Sequence, residues 1–436
     1  MKTSARIVLA LGLVLILAGL AAPWNGDETR EIVSISKKDF VAHRLAAGGL
    51  DLLMEKDGRV YIVATPGDVR AISAAGITLA FETLRFLPSP ATAVSPAGGL
   101  NGAYHSYPEL ESDLRLLETS HPELAKLFEI GTSLEGRKVY ALKISRDVAL
   151  DEHKPAVMIL GCHHAREWIS LEVPFLYGKY LLENYGQNAD VQNIVNTGET
   201  WVVPLVNPDG LEYSIHVYRY WRKNRRLNAD GTYGVDINRN YGYQWGFDNL
   251  GSSPAPGSEA YRGTSAFSEP ETEAVRRLFL SRDFRASISY HSFSQTILYP
   301  WGYVDQPTPT DAGLATAAQA MAGLIAAVRG TVYAYGRGAA VLYLTNGDLN
   351  DWTYGVSGIP SFTIELPPVD ILHGGFFNAE SDIDGIFREN LPAALYLSSS
   401  ALQGTALQPG PSKNPGKRPD PAVRIKFRQK LTSPRE

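Results

Sequence analysis

The five consecutive apolar residues Ala156-Val157-Met158-Ile159-Leu160 show none of the polar alternation that a strand with one wet face would carry. The run predicts a strand buried on both faces, and such a strand needs helices packed above and below it. Residues from about Trp168 to Asn184 carry apolar side chains at helical spacing. Between them, Gly161-Cys162-His163-His164-Ala165-Arg166-Glu167-Trp168 forms a strand-to-helix turn. In open α/β sheets sites form beyond the carboxyl ends of strands. His164 and Glu167 can aim an imidazole and a carboxylate at one point, and both are good zinc ligands. Among nine histidines, only His164 is followed by Glu at the third position.

A His-x-x-Glu spacing also arises by chance, so other segments must decide its meaning. With 436 residues the chain has room for one large domain and a smaller one. The net charge of −5, from 41 basic and 46 acidic side chains, argues against a protein that coats nucleic acid or an anionic membrane. Residues 218–226 (YRYWRKNRR) are locally basic with interleaved aromatics and alone would suit a nucleic-acid patch. Lys2 and Arg6, the apolar run Ile7 to Leu20 and the small residues Ala21 and Ala22 lay out a secretory signal peptide over residues 1–22. An extracellular or periplasmic protein follows, with no membrane span in its mature form. Cys162 is the only cysteine, so no intrachain disulfide can form.

Residues 23–86 read as β-α-β-β-α-β, the ferredoxin-like order. The strands fall at Glu31 to Ile35, Leu50 to Leu53, Val60 to Val63 and Ile77 to Phe81, with helices around Asp39 to Ala47 and from Pro66. Residues 87–102 are rich in Pro, Ala and Gly and form an exposed linker where cleavage is expected. Over residues 103–402 short apolar runs alternate with helical segments, predicting a mixed sheet with helices on both faces. Val139 to Ile144, Thr200 to Val206, Ala286 to His291 and Ser361 to Leu366 read as strands. Leu110 to Leu117, Glu269 to Ser281 and Leu314 to Arg329 read as helices, and Asn207-Pro208-Asp209-Gly210 as a turn. Residues 403–436 are a Pro-rich basic tail, mostly disordered, in which Val423 to Arg428 alternates like a strand and could bind an anion.

His291, at the end of Ile288-Ser289-Tyr290-His291, stands in the same kind of position as His164. A third ligand from another strand would leave one coordination position for water, the layout of a catalytic zinc site. Taken alone, His291 also fits a hydrogen-bonded core histidine. Glu365 lies inside the apolar strand Thr363-Ile364-Glu365-Leu366, where an unpaired carboxylate is costly. Its natural partner would be a metal-bound water.

At this point the sequence resembles the zinc carboxypeptidases of the A and B family, and within it the pattern of bacterial carboxypeptidase T. The resemblance covers about Tyr104 to Ser399. It rests on His164-Ala165-Arg166-Glu167-Trp168, Asn207-Pro208-Asp209-Gly210, Trp221-Arg222-Lys223, Gly234 to Asn240, Tyr241-Gly242-Tyr243, Tyr261-Arg262-Gly263, His291 to Gln295 and Phe362 to Leu366. It implies an eight-stranded mixed sheet between helices, and a single zinc ion on His164, Glu167 and His291. Asp236 would orient the His164 ring, and Glu365 would be the base for zinc-bound water. Arg222 would stabilise the oxyanion. Arg239, with Asn238 and Tyr343, would hold the substrate's terminal carboxylate, and Arg166 would lie along the groove. The N-terminal unit would be an intramolecular inhibitor released by an activating protease. Partners would be peptide or protein C-termini, and the protein a monomer. A structural calcium ion is compatible with the resemblance, although no residues locate it.

The resemblance places Asn350 at the floor of the pocket for the terminal side chain, with Asp348 in its wall. Cleavage of apolar and aromatic C-terminal residues together with Lys and Arg is therefore expected. Phe293 stands where the family more often has tyrosine, which removes a subsite hydroxyl. Two other readings compete: a related zinc peptidase acting on peptidoglycan stem peptides, and a silent binding protein of the same fold. The second is disfavoured because the ligands, Glu365 and Arg222 are all present.

Overall fold

A computed structural model describes residues 31–43, 50–82, 100–150 and 154–404. The expected leader, most of the linker and nearly all of the tail lie outside the described residues. The first unit runs β1 (Glu31–Ser36), α1 (Lys37–Ala42), β2 (Asp51–Lys56), β3 (Arg59–Ala64), α2 (Pro66–Ala74) and β4 (Leu79–Phe81). Its antiparallel sheet has the order β2-β3-β1-β4, the arrangement expected from the sequence. Thr65 caps α2 by accepting from the Asp68 amide, while Asp68 accepts from the Thr65 amide and Pro66 opens the helix. Alternation divides the sheet faces. Val33, Ile35, Val60 and Ile62 join Ile72 in a small core. On the other face, Ile32, Leu53, Tyr61 and Val63 pack against Phe293, Ile371 and Phe376 of the larger unit.

The larger unit begins with α3 (Tyr107–Ser120), β5 (Ala125–Thr132), β6 (Lys138–Ile144), β7 (Ala156–Leu160), α4 (Ile169–Glu183), α5 (Ala189–Thr197), β8 (Glu199–Val203) and α6 (Pro208–His216). It continues with α7 (Pro270–Ser281), β9 (Phe284–Ser292), β10 (Thr296–Tyr299), α8 (Asp311–Arg329), β11 (Ala334–Arg337), α9 (Gly338–Val341), α10 (Leu349–Ser357), β12 (Ser361–Leu366) and α11 (Ile383–Gln403). The eight strands take the order β11-β10-β12-β9-β7-β8-β6-β5. Neighbours among β12, β9, β7 and β8 are parallel, while β10 on β12, β6 on β8 and β5 on β6 are antiparallel. The sheet is therefore mixed, as expected.

The apolar run of β7 is explained by two cores. Val157 and Ile159 enter the one covered by α3, α4, α8 and α11, while Ala156, Met158 and Leu160 enter the one covered by α7 and α10. Helix α8 is long and apolar enough in composition to cross a membrane, but Leu314, Ala318, Met321 and Ile325 are packed into the first core. Two local expectations need correction. The strand expected to reach Val206 stops at Val203, and Asn207-Pro208-Asp209-Gly210 opens a helix rather than a loop turn. Asn207 caps it by accepting from the Gly210 amide, and Pro208 lacks an N–H that the first turn could not use.

The start of the larger unit is tied to α4. His105 donates its backbone N–H to Glu172, its Nδ1 lies 2.8 Å from the same carboxylate, and its Nε2 lies 3.2 Å from Asp113. Burial works against a charge on this ring, but Glu172 and then Asp113 raise its pKa to about 9. The folded value exceeds the ordinary one, so the stabilisation is complete below about pH 6.5. It is lost as pH rises through about 9. His105→Gln should therefore lower the melting temperature at pH 6 more than at pH 10, by about 2–4 °C per kcal/mol lost. An equal loss at both pH values would show that the imidazolium is not the stabilising form.

Candidate metal centre and cleft

Beyond β7 the chain must cross the start of α4 at close range. A Cβ on Gly161 would fall 1.8 Å from the Ser170 carbonyl oxygen, so no larger residue fits this approach. The turn that follows presents the side chains of His164 and Glu167, both buried. His164 Nδ1 lies 2.8 Å from Glu167 Oε1, and His291 Nδ1 lies 3.0 Å from Glu167 Oε2 and 3.1 Å from His164 Nδ1. One donor atom from each lies within 4.8 Å of the others. Two imidazole nitrogens and a carboxylate are a donor set suited to zinc, and tetrahedral bonds of about 2.0–2.1 Å place ligand atoms about 3.3 Å apart. The three residues fit the ion. Burial disfavours a charged Glu167, but the flanking imidazoles outweigh it and lower its pKa.

The outward side of His164 is also held. Its Nε2 lies 3.2 Å from Asp236 Oδ1, which accepts from the Asn238 amide, while Asp236 Oδ2 accepts from Arg222 Nε (3.1 Å) and Nη2 (2.8 Å). Burial opposes a charge on Asp236, yet Arg222, Arg239 and His164 together hold its pKa well below the usual carboxylate range. Arg222 keeps Nη1 free of hydrogen bonds among the described residues, 4.0 Å from Glu167 Oε1.

Register brings the fourth side chain in. On β9, Ile288 and Tyr290 face the first core, so Ser289 and His291 face the other side; on β12, Ile364 and Leu366 do the same, and Thr363 and Glu365 face away. The parallel pairing sets Glu365 directly beside His291. Burial, then the charge of Glu167, pushes the Glu365 carboxyl pKa well up. His164, Asn238, Arg239, His291, Tyr343, Asp348, Asn350 and Glu365 all line one cleft of about 480 Å³. Arg239 is held by the carbonyls of Gly251 (from Nε, 3.0 Å) and Asn238 (from Nη1, 2.7 Å). Its Nη2 has no hydrogen-bond acceptor among the described residues.

Residues 110–393 match the family model described as zinc carboxypeptidase, more than half of the chain. The chain belongs to that family. It is 33% identical over 345 residues to a zinc carboxypeptidase of Saccharothrix mutabilis subsp. capreolus, covering 74% of this chain and 78% of that one. It is 34% identical over 265 residues to carboxypeptidase A1 of Bos taurus, covering 60% and 62%. The crystal structure of carboxypeptidase A from Helicoverpa armigera matches with a TM-score of 0.72 at 25% identity, covering 87% of this chain and 98% of that one. That of thrombin activatable fibrinolysis inhibitor matches with a TM-score of 0.71 at 26% identity, covering 86% and 99%. This metallocarboxypeptidase is thus a hydrolase of the carboxypeptidase fold.

Two arginines singled out in the sequence are not in the cleft lining. Arg222 is paired with Asp236 and borders the cleft through Nη1, near Glu167, and Arg166 is paired with Asp51 of β2 through Nη1 (2.6 Å) and Nη2 (3.0 Å). A second bridge, Lys56 to Asp370 at 2.5 Å, joins the two units of the carboxypeptidase at the same face. The basic run 218–226 is consumed inside the protein. Arg219 stacks on Trp168, Arg222 binds Asp236, and Lys223 donates to the Ser258 carbonyl. Arg225 lies over Tyr213, Trp221 and Tyr233, and Arg226 binds Glu269. Five side chains that read as a nucleic-acid patch thus have internal partners.

Sequence reasoning passed over His163, Ser289 and Tyr241, all buried near the candidate ligands. The available signal was the adjacency of His163 to His164 and the polar half of the alternation in Ile288-Ser289-Tyr290-His291. Burial and the flanking imidazoles hold His163 well below the ordinary histidine value.

Proposed function

We propose that this protein is an exopeptidase that removes the C-terminal residue of peptides, with zinc on His164, Glu167 and His291. The convergence of His164, His291, Glu365 and Arg239 on one cleft, with Glu167 against both imidazoles, carries the reading. Zinc bound there would supply Lewis-acid chemistry, polarising the scissile carbonyl and making a water acidic enough to ionise. Glu365 takes a proton from the water as its oxygen bonds to the scissile carbonyl carbon, then gives that proton to the departing amine as the C–N bond breaks, leaving a new carboxyl end and the Glu365 carboxylate regenerated. Arg239 offers Nη2 to the terminal carboxylate, and Asn238 and Tyr343 flank it. Asn238 cannot turn freely, because its Oδ1 already accepts from the Leu349 amide at 3.1 Å. Arg222 is assigned to the oxyanion through its free Nη1.

The side-chain pocket is bounded by Leu298, Tyr299, Thr345, Asp348, Asn350 and Thr363. Asn350 Nδ2 donates to Thr363 Oγ1 at 2.9 Å and faces the Leu298 carbonyl at 3.5 Å. A carbonyl only accepts, so the amide is oriented with Oδ1 away from it; that oxygen has no hydrogen-bond partner among the described residues. Asp348 accepts from the Asp351 amide and from the Thr345 hydroxyl. Apolar walls with these two acceptors support a pocket taking apolar and aromatic residues and also Lys and Arg.

The N-terminal unit is assigned as an inhibitory segment of an exported protein, the export resting on the leader-like sequence of residues 1–22. Its contacts fall on Arg166, Phe293, Phe376 and Asp370, at the face where the upstream part of a peptide would lie, and none of its described residues lines the cleft. The block therefore bears harder on longer peptides than on dipeptides.

Four outcomes are expected. Glu365→Gln should lower kcat by about 10²- to 10⁴-fold, whereas Arg239→Ala should raise KM by about 10- to 100-fold for a free C-terminus and abolish discrimination against amidated ends; a Glu365→Gln enzyme at full rate would end the assignment. Asp348→Asn should cut kcat/KM for Lys and Arg by about tenfold relative to Phe, and an unchanged ratio would remove Asp348 as the contact. The uncleaved chain should hydrolyse a pentapeptide far more slowly than the chain freed of residues 31–82, with Asp51→Ala partly restoring the rate. Equal rates for cut and uncut protein on both long and short substrates would dismiss the inhibitory role.

A further inference from the structure

The two candidate histidine ligands differ in what holds their outward nitrogens. His164 Nε2 faces the Asp236 carboxylate, whereas His291 Nε2 meets neither a carboxylate nor a backbone carbonyl among the described residues. Its near neighbours are Ser289 Oγ at 3.1 Å and Asn238 Nδ2 at 3.5 Å. Asn238 Nδ2 is a donor, and Oδ1 of the same amide is engaged by the Leu349 amide, so it offers no acceptor. Ser289 lies two residues before His291 on β9, hence on the same face.

A hydroxyl both donates and accepts, so Ser289 alone cannot fix a ring. Its other neighbour is His163 Nδ1 at 3.3 Å, and His163 Nε2 lies 2.9 Å from Tyr241 Oη. The His163 ring also stacks on that of His291, with centroids 5.4 Å apart and planes at 16°. His163, Ser289 and Tyr241 are 0%, 1% and 0% exposed, so bulk water cannot stand in for any partner.

A cation on His291 Nδ1 leaves that ring's proton on Nε2. The Nε2–H must then donate to the Ser289 oxygen, and the one hydroxyl proton of Ser289 is left to point at His163 Nδ1. His163 in turn carries its proton on Nε2, toward the Tyr241 oxygen. The chain of donors runs one way, from ligand to tyrosine. We infer that His163 is a positioning residue that acts through the Ser289 hydroxyl to fix the tautomer and orientation of the His291 ring. The inference rests on His164, Glu167 and His291 being the zinc set.

Zinc affinity of the full chain, measured by competition with a chelator, tests it without recourse to activity. His163→Phe keeps the ring stack and removes the acceptor, and Ser289→Ala removes the intermediary; each should weaken zinc binding by about 10- to 100-fold. Because one acts through the other, the double variant should be no weaker than Ser289→Ala alone. His163→Asn, whose Oδ1 can accept near the position of Nδ1, should recover most of the affinity, with KM of the zinc-loaded protein unchanged. Unaltered affinity in His163→Phe, or losses that multiply in the double variant, would overturn the inference. If His163→Phe does not fold, as read by near-ultraviolet dichroism of the metal-free form, Ser289→Ala and Ser289→Thr carry the test; equal zinc affinity in those two overturns it. Failure of the unsubstituted protein to bind zinc would instead refute the ligand set.

Discussion

Two buried imidazole nitrogens, His164 Nδ1 and His291 Nδ1, face one another 3.1 Å apart with a carboxylate beside both. Imidazole lone pairs repel, and protonating both rings would place two cations against each other in a region closed to water. A divalent ion resolves the conflict in one step by accepting all three donors. Much of the surrounding architecture serves this point. Asp236 sits behind His164, Arg222 and the Asn238 amide sit behind Asp236, and Glu167 balances part of the charge. Removing any member would leave another buried group without its partner, which is why the cluster stands as a unit.

The side chains that meet at the cleft come from strand ends rather than from one continuous segment. Parallel pairing of β9 with β12 puts His291 and Glu365 on one face, and the alternation that sends Ile288, Tyr290, Ile364 and Leu366 into a core sends their neighbours toward the cleft. Packing and chemistry are therefore coupled through register. A slip of one residue would bury Glu365 in the apolar layer and turn Ile364 toward the ligands.

Charge on the larger unit is handled in a similar way. The basic residues of 218–226 neutralise buried acids, stack on aromatic faces or cap carbonyls, so a run that looks cationic in one dimension is largely internal in three. Arg166 is the contrast. It is held by Asp51 from the other unit, a bidentate pair that depends on the two units being together. The sheet face opposite the small core of that unit, with Leu53, Tyr61 and Val63, covers Phe293 and Phe376 at the same edge.

Much of this was legible in the chain itself. Unbroken apolarity at 156–160, the His-x-x-Glu turn, the alternation around His291 and the acid within Ser361 to Leu366 are local signals, because period and composition report burial directly. With the family motifs they named the fold class and the candidate zinc donors, and several of the side chains that line the cleft. What they left open depended on partners distant in sequence. Helices such as α5 and α11, the short strand β10 and the edge strand β11 beside it, and the helical start at Asn207 carry weak periodicity or turn-like residues, and tertiary packing decided their form. The pairing of Arg166 with Asp51, the internal use of the basic run and the path from His291 through Ser289 to His163 likewise arise only when separate segments meet. Hydrogen bonds between distant residues have no periodicity, so the amino-acid sequence determined which side chains are buried and only the folded chain decided which of them face each other.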